Sequence, residues 1–264
     1  MTPNLLVTGG TGVLGTHVVG RLTGSGRDVR VLSRHGGAAL PGVEHVAADL
    51  SRTPDLRAAL DGIETVLHLA GSAKGDGAKT RVLVDAVRGS AVRHLLLISV
   101  VGADRVPIVS ARDRLAFGYY GEKRAAERAV ESSGVPWTIL RTTQFHDLLL
   151  KTFAGLAKAP VAIAFAGVRF QPVEADEVAE RLVALSAAPP AGLVEDLGGP
   201  RVASMADLLR TYLAAAGRRR PILSLPTGGR AGTAIVAGAN LATDRAVGRL
   251  TWEEFLARRV TPGR

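Results

Sequence analysis

Short apolar runs alternate with amphipathic segments through about the first 140 residues, at a spacing typical of strands separated by helices. The runs are continuous stretches of Val, Ile, Leu and Ala, which indicates strands covered on both faces. Strands are predicted at Leu5–Val7, Val29–Leu32, Val43–Ala47, Thr65–Ala70, His94–Val101 and Trp137–Leu140. Because helical patterns separate them, we expect an α/β fold, a Rossmann-type doubly wound parallel sheet with right-handed crossovers.

The regular alternation ends near Leu150, where Gly- and Ala-rich pieces follow. Helices are predicted over 176–186, 204–216 and 251–259, and strands over 161–166 and 193–197. This later part has no catalytic spacing of its own. We therefore predict an NAD(P)-binding Rossmann domain over residues 1–150 and, over 151–264, a smaller C-terminal portion that packs on it as a substrate-binding cap.

Composition narrows the class of protein. The 264 residues are 47% hydrophobic and include no cysteine, which excludes disulfides, thiolate catalysis and cysteine metal sites, and no metal site is predicted. The first strand begins at Leu5, which leaves no room for a secretory signal, and uncharged stretches such as Ala231–Thr243 are too short to span a membrane. A cytoplasmic protein without a membrane partner is expected.

The formal charge of +9 raises the possibility of nucleic-acid binding. The arginines are dispersed, however, aromatics are only 4% of residues, and no helix-turn-helix or zinc pattern accompanies them, so no nucleic-acid partner is predicted. A small acidic ligand such as a nucleotide phosphate explains the charge equally well. The sequence leaves the choice between a monomer and a homodimer open.

A glycine-rich turn follows the first strand. Gly10, Gly12 and Gly15 have the G-x-G-x-x-G spacing of a pyrophosphate-binding turn, and the amphipathic stretch Val13–Leu22 follows it. Amide groups at the start of that helix would face the anion. The residues predicted to contact the cofactor here are Gly9, Thr11, Gly12, Val13, Leu14 and Gly15. The alternative is a purely structural turn.

The second predicted strand ends at Ser33 and Arg34, about 20 residues beyond the turn. NAD-binding folds place an acidic residue near this point, on the ribose hydroxyls. A carboxylate would repel a 2′-phosphate, whereas Arg34, flanked by Ser33 and His35, would pair with it, so NADP(H) is the predicted cofactor. The alternative is a solvated surface arginine.

The carboxyl ends of the other strands supply further candidate cofactor contacts. Asp49, beside Leu50, could accept the adenine amino group, or it could be an ordinary acid at a helix N-terminus. The small residues of Leu69-Ala70-Gly71 would let the backbone lie against a ribose. The loop from Thr142 through Gln144 could border the nicotinamide. Farther along, His146 could shuttle a proton or be a packed structural histidine.

A polar loop is predicted after the fifth strand as far as Phe117, and a helix follows it, in which Tyr119 and Lys123 lie four residues apart and so share one face. An ammonium nearby favours phenolate and lowers the pKa of a tyrosine from its usual value of about 10, as a proton donor to a carbonyl requires. Tyr120 with Arg124 is the alternative pair, but arginine does not exchange its proton. A surface tyrosine and lysine remain the other interpretation.

Together, the glycine turn, Arg34, Tyr119–Lys123 and Pro136–Arg141 resemble the atypical short-chain dehydrogenase/reductases, and the NmrA-like NAD(P)H-binding group in particular. The resemblance implies a nicotinamide nucleotide at Gly9, Gly12, Gly15 and Arg34, and a catalytic pair at Tyr119 and Lys123. Where many catalytic members carry a serine just after the fifth strand, this chain has Val100 and Val101, with Ser99 earlier and Ser110 later, so a substrate oxygen would lack its second donor.

Three functions follow from these features. The first is an NADPH-dependent reductase of a carbonyl, a quinone or a conjugated double bond, in which Tyr119 donates the proton, Lys123 binds the nicotinamide ribose and Ser99 orients a small organic substrate. The second is a non-catalytic NADP(H)-binding redox sensor, because some NmrA-like proteins are sensors. The third is a sugar-nucleotide epimerase or dehydratase, which Arg34 disfavours because those enzymes usually retain NAD.

Overall fold

The computed structural model describes residues 3–34, 36–37, 40–71 and 74–261. Its elements, in chain order, are β1 (Leu5–Thr8), α1 (Val13–Gly24), β2 (Val29–Ser33), β3 (Val43–Ala47), α2 (Thr53–Ala59), β4 (Thr65–His68), α3 (Asp76–Val87), β5 (His94–Val100), α4 (Ala111–Glu131), β6 (Trp137–Thr142), α5 (His146–Leu156), β7 (Ala162–Phe165), β8 (Arg169–Phe170), α6 (Ala175–Ala187), β9 (Gly192–Leu193), β10 (Ala203–Ser204), α7 (Met205–Ala215), β11 (Ile222–Leu225), α8 (Gly229–Val236), a 3-10 turn (Thr243–Arg245) and α9 (Trp252–Arg259). Within these ranges, no helix is both long enough and apolar enough to cross a membrane.

Seven strands form one sheet in the order β3-β2-β1-β4-β5-β6-β9. Parallel registers join β1 to β2 and β4, β2 to β3, β4 to β5, and β6 to β9. The predicted Rossmann-type α/β fold is confirmed. The strand order reverses at β1, and folds of this kind bind ligands at that reversal, beyond the carboxyl ends of the strands.

The chain divides into two compact units. The first comprises Met1–Ser99, Gly121–Arg141 and Val178–Glu195, and the second comprises Val100–Tyr120, Thr142–Glu177 and Asp196–Arg264. Each unit is built from segments that are distant in sequence. The division into two consecutive domains at residue 150 stays a prediction.

The core of the first unit lies against the sheet. Leu6, Val66, Leu95 and Ile139 of neighbouring strands are fully buried, together with apolar side chains of α2, α3 and α4. Strands buried along their whole length explain why their sequences are continuous apolar runs. This packing holds the carboxyl ends of β1, β4 and β5 in a rigid frame.

The second unit has its own core, in which Phe153 of α5, Leu209 and Tyr212 of α7, and Trp252 of α9 pack together. Small sheets accompany these helices: β10 pairs with β8 in antiparallel fashion, and β11 pairs with β7 in parallel. The side chain of Ser204 caps α7 by accepting the Asp207 amide.

The beginning of α4 differs from the sequence prediction, which placed a polar loop as far as Phe117. The helix begins at Ala111. The hydroxyl of Ser110 accepts the Asp113 amide at 3.0 Å, and the Asp113 carboxylate accepts the Ser110 amide at 3.1 Å. These reciprocal bonds satisfy amides that would otherwise be unpaired at the start of a helix, so the helix begins earlier than its hydrophobic pattern suggests.

Candidate functional site

The turn between β1 and α1 has the backbone that close packing requires. Gly9 has a φ of +73°, a conformation that side chains rarely adopt, and its carbonyl accepts the Gly12 amide at 3.1 Å. A Cβ at Gly15 would lie 2.1 Å from that carbonyl oxygen, and one at Gly9 would lie 2.6 Å from the Ala70 nitrogen. At Gly12 the nearest atom to a Cβ would be 3.4 Å away. Glycine at 12 thus leaves the approach to the turn open.

The N-terminus of α1 is suited to an anion. Over residues 9–16, which the structure describes in full, no side chain caps the helix and no acid lies in its first turn. Thr11, Gly12 and Val13 are exposed. The first amides of a helix have no intrahelical acceptor and carry the positive end of its dipole. These amides fit the pyrophosphate of a dinucleotide.

Arg34 is exposed and directly follows β2, whose last residue is Ser33. The Ser33 hydroxyl donates to the Gly36 carbonyl oxygen, which holds the start of this loop. His35, which the sequence places beside them, lies outside the described residues. The exposed guanidinium is therefore available at the end of the strand next to β1, where the ribose of a dinucleotide binds in this fold.

Asp49 forms a local turn after β3. One carboxylate oxygen accepts the Ser51 amide and the Ser51 hydroxyl, both at 2.8 Å. These hydrogen bonds lower the pKa of Asp49, with smaller contributions from the charges of Arg34 and Lys79. Leu50 packs against the core of the first unit. Contacts of Asp49 and Leu50 with an adenine stay predictions.

A buried hydrogen-bonded line joins the ends of β1 and β4. Thr8 Oγ1 lies 2.7 Å from His68 Nδ1, His68 Nε2 lies 3.0 Å from Thr80 Oγ1, and Thr80 donates to the Asp76 carbonyl oxygen at 2.9 Å. Because the Thr80 hydroxyl donates its proton to the Asp76 carbonyl oxygen, it accepts a hydrogen bond from the protonated Nε2 of His68. The unprotonated Nδ1 of His68 therefore accepts a hydrogen bond from the Thr8 hydroxyl. Burial lowers the pKa of His68 to about 4.

The same line supports Leu69, Ala70 and Gly71. The Leu69 amide donates to the Thr8 carbonyl oxygen at 3.1 Å, and the Ala70 amide lies 3.4 Å from the Thr8 hydroxyl. Gly71 is exposed. The small residues predicted to face a ribose thus stand at the strand end where the sheet reverses, and their contact with a cofactor stays a prediction.

Lys123 of α4 is buried at the same edge of the sheet. Its Nζ atom lies 2.9 Å from Asp76 Oδ2, in the first turn of α3, and donates to the Ile98 carbonyl oxygen of β5 at 3.3 Å. A Cβ added to Gly71 would lie 3.0 Å from Nζ. The ammonium is therefore held between the ends of β4 and β5.

Ser99 is also buried, near an ion pair that the sequence analysis did not identify. Arg141 donates two hydrogen bonds of 2.7 Å to the fully buried Glu127 carboxylate. Burial alone would raise the pKa of Glu127, but hydrogen bonds from Arg141 and Arg124 outweigh it and lower the pKa. The buried Ser99 hydroxyl has no hydrogen-bond partner among the described residues, and its predicted contact with substrate stays a prediction.

In the second unit, Tyr119 and Tyr120 differ sharply in environment. Their rings meet edge to face at 6.0 Å, and Tyr119 keeps 38% of its surface exposed. Burial raises the pKa of Tyr120 to about 12, helped by Tyr119 and opposed by a hydrogen bond with Gln144. Tyr119 is the more accessible phenol, as a proton donor must be.

Thr142 and Gln144 are buried in the second unit. The Thr142 carbonyl oxygen accepts the Val101 amide at 2.9 Å, and the Gln144 carbonyl oxygen accepts the Val173 amide at the same distance. Both backbones are therefore committed to the unit itself. Their proximity to a nicotinamide stays a prediction.

His146 has the surroundings of a structural histidine. It is fully buried and stacked against Trp252 and Phe255, with Nε2 3.1 Å from the Leu250 carbonyl oxygen. Burial lowers its pKa. These contacts support the interpretation of a packed histidine over that of a proton shuttle.

Asp76 and His68 are the main additions to the residues that the sequence analysis named. His68 is the last residue of β4, and Asp76 is the first residue of α3, which follows. Both could have been found by considering the polar residues at and after the carboxyl end of each predicted strand. Their partners Lys123 and Thr8 lie 47 and 60 residues away in sequence, and no local spacing indicates such pairings.

Comparison with known proteins agrees with this geometry. A (4-alkanoyl-5-oxo-2,5-dihydrofuran-3-yl)methyl phosphate reductase of Streptomyces griseus is 31% identical over 62% of this chain and 55% of its own length. An NAD(P)H azoreductase of Xenophilus azovorans is 26% identical over 81% of this chain and 74% of its own. Across the curated relatives, the matches cover between 32% and 74% of the relative's length, and most cover less than two thirds.

Among solved structures, the NADPH complex of an Escherichia coli NADPH-dependent quinone oxidoreductase superposes with a TM-score of 0.76 and covers 96% of this chain and 99% of its own, at 19% identity. At that identity the likeness shows the fold alone.

The family model described as NAD(P)H-binding matches residues 9–189, from the glycine turn through β6 and α6. The chain belongs to this NAD(P)H-binding family, the NmrA-like group of the atypical short-chain dehydrogenase/reductases.

Proposed function

We propose that the protein is an NADPH-dependent reductase of a carbonyl, quinone or conjugated double bond in a small organic substrate. The observation that carries the proposal is the exposed Arg34 at the end of β2, next to an open glycine turn without a competing acid in the described residues 9–16. An arginine favours a 2′-phosphate, which distinguishes NADP(H) from NAD(H).

In this proposal the first unit holds the nucleotide. The amides of Thr11, Val13 and Leu14 bind the pyrophosphate, because nothing within the helix accepts them. The Gly12 amide donates to the Gly9 carbonyl oxygen, and the missing side chain of Gly12 lets the pyrophosphate approach. Arg34 and Ser33 bind the 2′-phosphate, and Asp49 and Leu50 border the adenine. Leu69 through Gly71 lie along a ribose, since small side chains there let the backbone approach.

The proposed chemistry needs a proton as well as a hydride. When bound, the reduced nicotinamide supplies the hydride to the substrate carbon. Tyr119 donates its phenolic proton to the carbonyl oxygen, so the carbonyl becomes an alcohol and the tyrosine a phenolate, which solvent reprotonates. Lys123 binds the nicotinamide ribose, and Thr142 and Gln144 border the nicotinamide. Ser99 is the candidate to orient the substrate oxygen.

The relatives support reduction rather than another reaction of this fold. Three of them are named as reductases: of an alkanoyl-dihydrofuranone phosphate, of ceramide and of azo compounds. The name of the azoreductase also gives NAD(P)H as its reductant. Quinones and conjugated carbonyls are therefore the acceptors to screen first.

Calorimetric titration with NADPH, NADP⁺, NADH and NAD⁺ tests the cofactor assignment, using the wild type, Arg34→Asp and Arg93→Asp. Arg93 is an exposed arginine just before β5, at the opposite edge of the sheet, and serves as the matched control. We expect preference for the phosphorylated nucleotides by about 10- to 150-fold, lost in Arg34→Asp and kept in Arg93→Asp. Equal affinity for all four in the wild type would contradict NADP(H) specificity.

A second candidate is a protein that binds NADP(H) and reports its redox state without catalysis. The burial of Ser99 favours it, because a hydroxyl on a side chain that is only 4% exposed is poorly placed to donate to a substrate oxygen. Strong preference for one oxidation state, with no oxidation of NADPH by any quinone, carbonyl or azo acceptor, would support this candidate over the reductase.

A further inference from the structure

We propose that Asp76 is a positioning residue that fixes the Lys123 ammonium for the bound nucleotide. The inference rests on the proposed function, in which Lys123 contacts the nicotinamide ribose. Asp76 itself need not touch the cofactor. Its carboxylate acts through the lysine.

The ammonium is held from two directions. Asp76 Oδ2 lies 2.9 Å from Nζ and the Ile98 carbonyl oxygen lies 3.3 Å from it, on α3 and β5 respectively. The side chains of Lys123 and Asp76 are only 5% and 3% exposed. A lysine has many rotamers in water, so two anchors at such burial select one of them.

Asp76 is in turn held through its backbone. Its carbonyl oxygen accepts the Thr80 hydroxyl, whose own partner is His68, and the next amide, that of Gly77, donates to the Glu122 carboxylate at 3.1 Å. A Cβ on Gly77 would lie 2.6 Å from the Ala125 Cβ, so α3 and α4 meet at close range. Among the described residues, Asp76 and His68 are titratable groups that interact with the ammonium.

The place of this pair distinguishes it from an ordinary buried ion pair. Glu127 of α4 and Arg141 of β6 also form a buried ion pair. Asp76 and Lys123 instead stand beside Gly71, at the carboxyl ends of β4 and β5, where this fold binds ligands. A ligand that meets an already ordered lysine does not have to order it, and its affinity rises accordingly.

A double-mutant cycle separates positioning from simple structural support. NADPH affinity is measured by calorimetry for the wild type, Asp76→Asn, Lys123→Met and the double variant. We expect Asp76→Asn to weaken NADPH binding about 2- to 10-fold in the wild-type background and to have no further effect when Lys123 is already Met. Equal effects in the two backgrounds would overturn the proposal, because the aspartate would then act independently of the lysine.

Failure of the proposed function gives a different result. If the wild type binds none of the four nicotinamide nucleotides, both proposals are wrong. If the wild type binds NADPH and Asp76→Asn binds it equally well, only the role of Asp76 is wrong.

Controls address folding. Asp85→Asn removes an exposed carboxylate from the same helix, where it pairs with Arg88, and should leave NADPH affinity unchanged. Thermal unfolding shows whether Asp76→Asn is folded. If it is not, Asp76→Glu replaces it in the cycle, because it keeps the negative charge and moves the carboxylate from its position 2.9 Å from Nζ. Weaker binding in Asp76→Glu that disappears in the Lys123→Met background supports positioning, and persistence of the loss there overturns it.

Discussion

Nδ1 of His68 accepts a hydrogen bond of 2.7 Å from the hydroxyl of Thr8, which joins the ends of two neighbouring parallel strands. Both groups are neutral in this hydrogen bond. The imidazole is buried, and its other nitrogen is already committed to Thr80. The histidine therefore has to stay neutral for the line to form. This requirement links the protonation of one residue to the stability of the strand ends that frame the glycine turn.

The first prediction concerns pH. The unfolded chain protonates His68 below about pH 6.5, whereas in the native state its pKa is lowered to about 4. The unfolded state binds more protons between these values, so the free energy of unfolding is level above pH 6.5 and falls as pH drops toward 4. We expect His68 to account for a loss of about 2 kcal/mol between pH 8 and pH 5.

Urea denaturation of the wild type and His68→Gln at pH 8, 6.5 and 5 measures this contribution. The variant should be less stable at pH 8, because a buried hydrogen-bonded line is disturbed, and its stability should fall less between pH 8 and 5. His94 and His146 also have lowered pKa values and supply the remaining slope. The same slope in both proteins would show that His68 is not the titrating group.

The second prediction uses two glycines of α1. A Cβ at Gly15 would lie 2.1 Å from the Gly9 carbonyl oxygen, whereas a Cβ at Gly20 meets nothing within 4 Å. Gly15→Ala should destabilise the protein by about 1 to 3 kcal/mol or more and displace the turn, with loss of nucleotide binding. Gly20→Ala should stabilise it by about 0.5 to 1 kcal/mol, because alanine loses less entropy in a helix.

Denaturant midpoints and NADPH titration on the two variants check this contrast. Both variants replace glycine with alanine in the same helix, so the contribution of helix propensity to the change in stability is the same in both. Normal nucleotide affinity in Gly15→Ala would show that the turn tolerates a shift, and that its glycines have no part in binding.

The sequence predicts the sheet well for a physical reason. Strands such as β1 and β5 are buried on both faces, so their apolar runs are local and continuous. The first residue of α4 was not predicted, because Ser110 and Asp113 start the helix through capping hydrogen bonds and not through hydrophobic periodicity. The Asp76–Lys123 ion pair was not predicted, because its two residues lie on different helices that are distant in sequence. Spacing within one helix indicated Lys123 but gave no sign of its carboxylate partner.

The third prediction separates two adjacent tyrosines. Tyr119 is partly exposed, whereas burial raises the pKa of Tyr120 to about 12. A proton donor must reach substrate and exchange with solvent, which only Tyr119 is placed to do among this pair. Tyr119→Phe should lower kcat by about 100-fold or more, since general acid catalysis contributes about 10²- to 10⁴-fold, while NADPH affinity stays nearly the same.

Tyr120→Phe is the matched control, because it removes one hydroxyl from the next residue of the same helix. This substitution should leave kcat within a few-fold of wild type. Steady-state oxidation of NADPH with a quinone or carbonyl acceptor, alongside calorimetric NADPH binding, measures both effects. If Tyr120→Phe loses turnover and Tyr119→Phe keeps it, Tyr120 is the acid and the role proposed for Tyr119 is wrong.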